Sequence, residues 1–393
     1  MAAINFNPDQ KAAISVRKNT IVAAGAGSGK TSVLSERFAS LLEKDQIPLE
    51  SILCLTFTRK AAAEMYSRIY RRLLKSTDPT MTQKLEAFDE ARILTLDAFC
   101  STVARSACRH YGISPLFTND EERLIELADR LSISLIMRHR SNPVLRRLIA
   151  HLSFDSIRRD LFGKLALYDI PLFRDHSFIE YADIHIAYLK KSLQTALDIL
   201  SDQRAVINDL DPSTHKKIAD LQTWFQNNRI PEELRDISAR EEHLDRFTQW
   251  SKDRVFSLQG KHGLDEEIKT IKKHLEHCSF IIQALQEEES LYKLAPLFDE
   301  FSRDLDEAKR NEAVLSFNDV ALLARRILID RKEIRSWYKE HIKAIMIDEF
   351  QDNNSIQKDI LFLLAEKQDR HTPGIPSGLD LSPDKLFFVG DEK

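Results

Sequence analysis

A glycine-rich loop near the start of the chain places the tightest limit on its fold. Residues 24–31 read AGAGSGKT, and they lie between an apolar run at 21–24 and a helix candidate at 30–42. Glycines let the backbone turn so that successive N–H groups point at phosphate oxygens, and the start of the helix adds its positive dipole end. Strand, loop and helix in this order are the setting that a phosphate-binding loop requires.

The side chains of this loop have separate expected roles. Lys30 is suited to bridging the β- and γ-phosphates of a nucleoside triphosphate, and the Thr31 hydroxyl is suited to ligating Mg²⁺. Position 24, where the general pattern has glycine, holds alanine, but the GSGKT core is intact. A glycine-rich turn without a ligand is the alternative. The predicted phosphate-binding residues are Gly25, Ala26, Gly27, Ser28, Gly29, Lys30 and Thr31.

The surrounding pattern predicts a parallel α/β sheet. A second apolar run, 52–55, precedes a helix candidate at 60–74, so strand and helix alternate from the start of the chain. Two further apolar runs, 344–347 and 386–389, flank a helix candidate at 356–366. We therefore expect one α/β domain that is built from both ends of the chain.

A pair of acidic residues follows one of these runs, in the sequence IMIDEFQD at 345–352. Ligands collect at the carboxyl ends of parallel strands, which is also where a phosphate loop lies. Asp348 is therefore predicted to hold the Mg²⁺ shell, and Glu349 to orient or deprotonate the attacking water. A solvated acidic turn is the alternative, but the phosphate loop in the same chain favours the catalytic interpretation.

The middle of the chain has a different character. Glycine is rare between about 115 and 310, and charged residues mix with Leu and Ile at helical spacing. Two sets of apolar residues each fall on one helical face: Leu124, Leu127, Ala128 and Leu131, and Leu264, Ile268, Ile271 and Leu275. We predict an all-helical domain at 115–310, inserted between two segments of the α/β domain, 1–114 and 311–393.

Charge and composition narrow the possible partners. The net charge of −4 argues against a general nucleic-acid binder, but residues 1–75 hold 12 Lys/Arg against 6 Asp/Glu. This basic segment suits a localised phosphate-binding surface, although an ordinary solvated face has the same composition. The four cysteines have no metal-ligand spacing, and neither a secretory signal nor an apolar run of membrane-spanning length is found. A cytoplasmic protein without membrane contact is expected.

Taken in order, these motifs resemble those of the UvrD-like superfamily 1 DNA helicases. FNPDQ at 6–10 resembles the family's adenine-reading motif, with Gln10 as the reader, because an amide can donate and accept along one base edge. Arg37 stands where the family places an arginine on the adenine face, with a helix-surface residue as the alternative. Gln351 and Asp352 resemble the elements that couple the γ-phosphate to DNA movement.

Two segments resemble the DNA-contact motifs of the same family. LTFTRKAA at 55–62 offers Phe57 for base stacking, the hydroxyls of Thr56 and Thr58 for phosphate, and Arg59 where the family commonly has asparagine. The alternative for Phe57 is burial at a strand end. The resemblance therefore implies that these four residues contact DNA.

TLDAFC at 95–100 resembles the next DNA motif, which usually reads Thr-x-His-Ser-Phe, and it implies contacts from Thr95 and Phe99. Asp97 and Ala98 replace the histidine and the serine. Because a carboxylate repels a DNA phosphate, direct contact between residue 97 and DNA is not expected. The Phe-Cys ending resembles the branch that contains the RecB and AddA helicase–nuclease subunits. LSFND at 315–319 and FVGD at 388–391 resemble segments on either side of the acidic pair.

The resemblance implies an architecture and an activity. The architecture is a RecA-like P-loop NTPase lobe with an inserted helical domain, binding ATP, Mg²⁺ and single-stranded DNA or single-strand/duplex junctions. The activity is ATP-driven 3′ to 5′ translocation by a helicase of DNA repair or recombination. Arginines from a second lobe promote hydrolysis in this family. Since the chain ends at Lys393, inside a family motif, we expect a fragment that binds nucleotide with poor turnover.

Two other interpretations stay open at this point. One is the helicase–nuclease subunit of an AddA-like recombination complex, which would have a nuclease domain and a partner subunit. The other is a non-catalytic DNA-binding scaffold, against which intact Lys30, Thr31, Asp348 and Glu349 argue. Every catalytic interpretation requires that Thr31 and Asp348, more than three hundred positions apart, meet around one metal-bound triphosphate.

Overall fold

Two compact units make up the chain in the computed structural model, which describes residues 6–25, 27–172, 176–231, 240–258, 263–370 and 372–391. Unit 1 comprises Met1–Ala128, Phe162–Phe173 and Leu305–Lys393, and unit 2 comprises Asp129–Leu161 and Arg174–Asp304. Unit 1 takes in more of the middle of the chain than the predicted segments 1–114 and 311–393. One reason is that Phe117 and Leu172 belong to the core beside its sheet. The division into a motor lobe and a helical insert stays a prediction.

The strands of the described residues are β1 (Thr20–Ala23), β2 (Ile52–Thr56), β3 (Arg92–Thr95), β4 (Thr118–Asn119), β5 (Val314–Leu315), β6 (Ala344–Ile347) and β7 (Leu386–Gly390). Five of them form a parallel sheet in unit 1, in the order β1-β7-β6-β2-β3, and β4 pairs with β5 separately. The predicted α/β class with a parallel sheet is confirmed.

The α-helices follow in chain order: α1 (Pro8–Ser15), α2 (Lys30–Glu43), α3 (Arg59–Leu73), α4 (Met81–Glu86), α5 (Leu96–Ala107), α6 (Glu121–Arg138), α7 (Pro143–Leu152), α8 (Phe178–Asn208), α9 (Lys216–Asn227), α10 (Arg240–Ser251), α11 (Asp265–Gln286), α12 (Glu288–Glu312), α13 (Phe317–Asp330), α14 (Lys332–His341) and α15 (Ser355–Ala365). Two π-helical stretches, Ser156–Gly163 and Leu165–Asp169, follow α7. The predicted helical character of the middle of the chain is confirmed.

Alternation along the strands buries both faces of the large sheet. Leu53 and Leu55 of β2 lie in a core with α5, α13 and α15, whereas Ile52 and Cys54 lie in a second core with α2 and α3. Successive side chains of a strand point to opposite faces, so a strand that is covered on both sides needs a continuous apolar run. This is why continuous apolar runs marked the fully buried strands β2, β6 and β7.

Helix starts near the candidate site are set by local capping. Asn7 and Gln10 form a capping box at the start of α1, and Asn354 and Gln357 form another at the start of α15. In each box a side chain bonds the N–H group three residues on, and the partner side chain bonds back, so two unpaired donors are satisfied. The capping residues thus fix where both helices begin.

Unit 2 has its own core among α8, α9, α10 and α11. Ile268, Ile271 and Leu275 of α11 are buried in it, which confirms their predicted shared face. Trp224 contacts Trp250 edge to face, with ring centroids 5.8 Å apart. Because all these elements are helices, their apolar residues recur at three- and four-residue steps rather than in continuous runs.

All four cysteines are buried and none forms a disulfide: Cys54, Cys100, Cys108 and Cys278. Burial is the largest cause that raises the pKa of each thiol, so the thiolate form is disfavoured.

None of the described helices is long and apolar enough to cross a bilayer.

Candidate nucleotide-binding site and adjoining clefts

The carboxyl edge of the large sheet carries the candidate site. β1 ends before the glycine-rich loop, β6 ends directly before Asp348, and β7 ends directly before Asp391. Backbone hydrogen bonds hold these ends together, since Ala24 N donates to Gly390 O at 3.1 Å and Asp348 N donates to Leu55 O at 3.0 Å. The loops that follow these parallel strands therefore lie together at the carboxyl edge of the sheet.

The glycine-rich loop turns into α2 at Gly29. Gly27 and Gly29 have φ angles of +76° and +86°, a region that favours glycine, and Gly29 is the N-cap of α2. The positive end of the α2 dipole thus faces the loop, as an anion site requires. Ala26, also predicted to bind phosphate, lies outside the described residues.

Gln10 lies against this loop. Its Nε2 donates to Ser28 O at 2.9 Å, and its Oε1 accepts from Asn7 N at 2.9 Å. A Cβ at position 29 would lie 3.2 Å from the same Nε2, so Gly29 also permits this close approach. The amide of Gln10 is next to the predicted phosphate site, and its reading of adenine stays a prediction.

The Lys30 ammonium is held between a backbone carbonyl and a carboxylate. Its Nζ donates to Ala24 O at 3.1 Å and forms an ion pair with Asp391. A phosphate oxygen carries the same sign of charge as the Asp391 carboxylate. The ammonium can therefore exchange one anionic partner for another and remain paired itself.

Thr31 and Asp348 meet, as every catalytic interpretation requires. Thr31 Oγ1 donates to Asp348 Oδ2 at 3.4 Å, across 317 positions of sequence. Magnesium takes oxygen ligands at about 2.0–2.1 Å, so two oxygens this close can share one ion. Burial, followed by the neighbouring charge of Glu349, raises the pKa of the Asp348 carboxyl. A divalent cation would favour the ionised carboxylate, so the residues present fit Mg²⁺.

Glu349 has a backbone conformation that is rare for a residue with a side chain. Its φ of 58° lies in the left-handed region, and such conformations cost about 1–3 kcal/mol and concentrate at functional sites. Gln351 Nε2 donates to Glu349 Oε2 at 2.6 Å, and Asp391 N donates to Gln351 Oε1 at 2.9 Å. A Cβ at Gly390 would collide with that Oε1, so a larger residue there would displace the Gln351 side chain. Gln351 therefore connects the residues after β6 to the end of β7.

Asp391 is a site residue that was not among the predicted ones. It bonds Gln351 through its backbone and pairs with Lys30 through its side chain. The FVGD segment contained the available signal, because a carboxylate directly after a buried strand matched the position of Asp348. Its ion pair with Lys30 could not be foreseen, since the two residues are 361 positions apart.

Arg37 is buried, and its guanidinium bonds backbone carbonyls of the same unit. Its side chain is 3% exposed, and Nη1 donates to Ile14 O at 3.1 Å and to Val16 O at 2.6 Å. The guanidinium also lies 4.5 Å from the ring centroid of Phe387, and burial is the largest cause that lowers its pKa. These contacts join the end of α1 to the sheet. They give no support to stacking on adenine, which stays a prediction.

The first predicted DNA-contact segment contains buried and exposed residues. Thr56 is buried and its Oγ1 donates to Thr58 O at 3.1 Å, while Thr58 Oγ1 caps α3 by accepting from Ala61 N at 3.0 Å. Phe57 is 53% exposed and Arg59 is exposed. Burial of Phe57, the alternative interpretation, is therefore wrong. Its ring is accessible to a nucleic-acid base.

The second predicted DNA-contact segment is mostly structural. Thr95 Oγ1 caps α5 by accepting from Ala98 N at 3.1 Å. Phe99 is 3% exposed and lies edge-on to Tyr338, with ring centroids 5.6 Å apart. This burial gives no support to a contact between Phe99 and DNA, which stays a prediction. Phe99 is explained as a core residue of α5.

Two open clefts adjoin these segments in unit 1. The acidic cleft, about 450 Å³, is lined by three rings and three carboxylates, those of Phe57, Tyr168, Phe317, Asp97, Glu121 and Asp352. The basic cleft, about 630 Å³, is lined by Arg59, Arg105, Ser101 and Thr102 and shares Asp97 and Phe317 with the first. Phe317 and Tyr168 were not predicted. Phe317 lies in the family-like segment 315–319, whereas the sequence holds no comparable signal for Tyr168.

Comparison with known proteins supplies the family. The family model of the UvrD/REP helicase N-terminal domain matches residues 6–393. An ATP-dependent helicase/nuclease subunit from Streptococcus pyogenes serotype M49 (strain NZ131) is 24% identical over 407 residues, covering 91% of this chain and 33% of that protein. The protein of the same name from serotype M1 is 25% identical with the same coverage. The chain spans about a third of the length of these curated relatives.

The family match covers all of the described residues, including both sides of the candidate site. It agrees with the resemblance that the ordered motifs predicted. The chain therefore belongs to the UvrD/REP helicase N-terminal domain family.

Proposed function

We propose that this chain binds Mg²⁺·ATP at the carboxyl edge of its sheet and serves an ATP-dependent DNA helicase of repair or recombination. The single observation that carries the nucleotide site is the 3.4 Å approach of Thr31 Oγ1 to Asp348 Oδ2, beside the glycine-rich loop. A phosphate loop by itself fits many P-loop nucleoside triphosphatases. Family membership selects the helicase among them.

Each side chain at the nucleotide site has a distinct task. Lys30 leaves Asp391 and binds the β- and γ-phosphates, while the loop N–H groups and the start of α2 hold the remaining oxygens. Mg²⁺, held by Thr31 and Asp348, supplies positive charge to the phosphate oxygens. Glu349 orients or deprotonates the attacking water, and Gln351 holds the Glu349 carboxylate in place.

The DNA site lies on the same unit. Phe57 offers an exposed ring for base stacking, and Arg59, exposed at the first turn of α3, offers charge to a phosphate. Thr58 and Thr95 are engaged as helix caps, so they support the neighbouring contacts more than they make their own. The substrate is single-stranded DNA or a junction with duplex, and translocation runs 3′ to 5′ in the cytoplasm.

A second candidate function is that of a helicase–nuclease subunit. It is favoured by the relatives from Streptococcus pyogenes, which are named as subunits of an ATP-dependent helicase/nuclease. In that case a nuclease domain and a partner subunit would accompany the activity described above. The nucleotide and DNA sites of this chain would have the same residues in both cases.

Nucleotide titration of the purified chain tests the proposal. Lys30→Ala removes a charge-assisted contact that is worth about 1.5–3 kcal/mol, so Mg²⁺·ATP affinity falls roughly 10- to 150-fold. Lys44→Ala, at an exposed lysine directly after the same helix, is the matched control and keeps wild-type affinity. Equal affinities for wild type and Lys30→Ala would refute the nucleotide site. Failure of the wild type to bind single-stranded DNA would refute the DNA part.

A further inference from the structure

The acidic cleft has the chemistry of a base pocket rather than of a phosphate site. Phe57, Phe317 and Tyr168 are 53%, 42% and 69% exposed, so three aromatic rings are open to a planar ligand. The polar lining consists of carboxylates, amides and a serine hydroxyl, and none of the described residues that line it is Lys or Arg. A phosphate entering this cleft would meet only like charge and no cation.

The basic cleft has the complementary chemistry. Arg59 and the hydroxyls of Ser101 and Thr102 are groups that bind phosphate. Arg105 adds positive charge, although its guanidinium also donates to Phe117 O at 3.1 Å. The two clefts share Asp97 and Phe317. A nucleotide that crosses this shared wall can have its base on one side and its phosphate on the other.

Asp97, on the wall that the two clefts share, is not the residue that caps α5. Thr95 already caps α5 by bonding Ala98 N, and Asp97 follows it in the first turn. Its carboxylate is partly buried and accepts a side-chain hydrogen bond from Gln357. Burial is the largest cause that raises the pKa of this carboxyl. A partly desolvated acceptor beside open aromatic rings is suited to a neutral hydrogen-bond donor.

We propose that one DNA base enters the acidic cleft and that the Asp97 carboxylate accepts a hydrogen bond from its exocyclic amino group. An ionised carboxylate can only accept, so it can recognise the exocyclic amino groups of cytosine, adenine and guanine and opposes the O4 carbonyl oxygen of thymine or uracil. Asp97 thereby gives this chain a base preference, and the absence of the family's usual histidine at this position is explained. The proposal rests on the DNA site described under the proposed function.

Homopolymers of equal length test the preference directly. Oligo(dC) and oligo(dU) have the same sugar–phosphate backbone and differ in having an amino or a carbonyl group at the same ring position. Backbone contacts therefore contribute equally to both affinities. Wild-type protein is expected to bind oligo(dC) about tenfold more tightly than oligo(dU), measured by fluorescence anisotropy at neutral pH and one salt concentration. Oligo(dT) is expected to behave as oligo(dU) does.

Asp97→Asn separates recognition from charge. Asparagine has nearly the same shape but offers both a donor and an acceptor, so the ratio of the two affinities is expected to fall to about one. Glu121→Gln is the matched control, because it removes one negative charge from the same cleft at a different place. It is expected to strengthen binding of both polymers alike and to keep their ratio. Circular dichroism checks that both variants are folded.

Three results would overturn the inference while leaving the proposed function intact. The first is equal binding of oligo(dC) and oligo(dU) by the wild type, the second is an unchanged ratio in Asp97→Asn, and the third concerns the control. Loss of preference in Glu121→Gln as well would show that net charge, rather than Asp97, sets it. Failure of both polymers to bind the folded wild type would instead refute the DNA site itself.

Discussion

The two edges of the large sheet carry similar residues in opposite circumstances. At the carboxyl edge, Lys30 pairs with Asp391 beside an open loop, and the Asp391 side chain is 35% exposed. Near the start of β7, at the amino edge, Glu366 is fully buried and lies 3.1 Å from Arg335, 3.0 Å from Lys339 and 2.6 Å from Arg370. Lysine and acidic groups form pairs at both edges, but the Asp391 carboxylate is partly exposed whereas that of Glu366 is fully buried. The carboxyl edge is called the open edge below, and the amino edge the closed edge.

This difference in burial separates ion pairs that stabilise the fold from ion pairs that can be broken when a ligand binds. A buried charge needs complete pairing, because removing one partner leaves the others desolvated without compensation. A partly exposed pair costs little to break, so its members can exchange partners when a charged ligand arrives. We infer that the Glu366 cluster stabilises the sheet. The contacts of Lys30 with Asp391 and of Thr31 with Asp348 are instead ones that a bound Mg²⁺·triphosphate would replace.

The largest effect is expected at the open edge, and it concerns chemistry alone. In the complete helicase that this chain is proposed to serve, Glu349→Gln keeps the hydrogen bond from Gln351 but removes the proposed base, so single-turnover hydrolysis of ATP falls about 10²- to 10⁴-fold. The free energy of unfolding changes by no more than about 0.5 kcal/mol, because no buried pair is broken. Quench-flow measurement with bound single-stranded DNA gives the rate, and urea unfolding gives the stability.

The control for this variant is Glu50→Gln, at an exposed glutamate in the turn before β2. It is expected to hydrolyse ATP as the wild type does. An unchanged rate in Glu349→Gln would remove Glu349 as the base and would leave the open edge with no demonstrated difference from the buried one.

The next effect is expected at the closed edge, and it concerns stability alone. Glu366→Ala leaves three buried or nearly buried cations without their shared anion, so the free energy of unfolding falls by about 3–5 kcal/mol. Glu366→Gln, which keeps the shape but only one of the two accepting oxygens, serves if the alanine variant does not fold. Both are measured by urea unfolding, and nucleotide affinity of the folded protein is expected to stay at the wild-type value.

Asp380→Asn is the matched control for the closed edge. Asp380 lies 3.7 Å from Arg370, but its side chain is 40% exposed. A stability loss as large as that of Glu366→Ala would mean that burial is not what separates strong pairs from weak ones in this sheet. Lower nucleotide affinity in a folded Glu366 variant would mean that the two edges are coupled.

The smallest effect concerns Lys385, which precedes β7 and donates to Lys339 O at 3.0 Å. Burial, followed by the charges of Lys343 and Lys339, lowers the pKa of Lys385 from 10.5 to about 8. Between these two pH values the unfolded chain binds the extra proton, so the contribution of Lys385 to stability rises with pH and is least favourable below pH 8. Lys385→Met is therefore expected to be more stable than wild type near neutral pH, by about 1–2 kcal/mol.

Urea unfolding at neutral and alkaline pH checks this prediction, because the advantage of Lys385→Met should shrink as the pH rises past 8. A methionine variant that is less stable at neutral pH would show that the hydrogen bond to Lys339 O outweighs the cost of burial. In that case even the cations of the closed edge would all be net stabilising.

Much of the fold could be predicted because its signals are local. β6 has the bounds that the apolar run 344–347 predicted, and α2 starts at Lys30 as expected. A strand covered on both faces or a capped helix is specified by residues within a few positions of each other. β3 was missed because it is the outermost strand on one side of the sheet, is only partly buried and begins with Arg92. No continuous apolar run therefore marks it.

The sequence by itself determined which residue types stand ready for phosphate and metal, since the loop and the acidic pair each carry their own pattern. Only the tertiary structure decided that Lys30 pairs with Asp391, that Gln351 joins Glu349 to β7, and that Phe99 is packed inside. Such contacts join positions tens to hundreds of residues apart. They depend on the order and register of parallel strands, which no local pattern records.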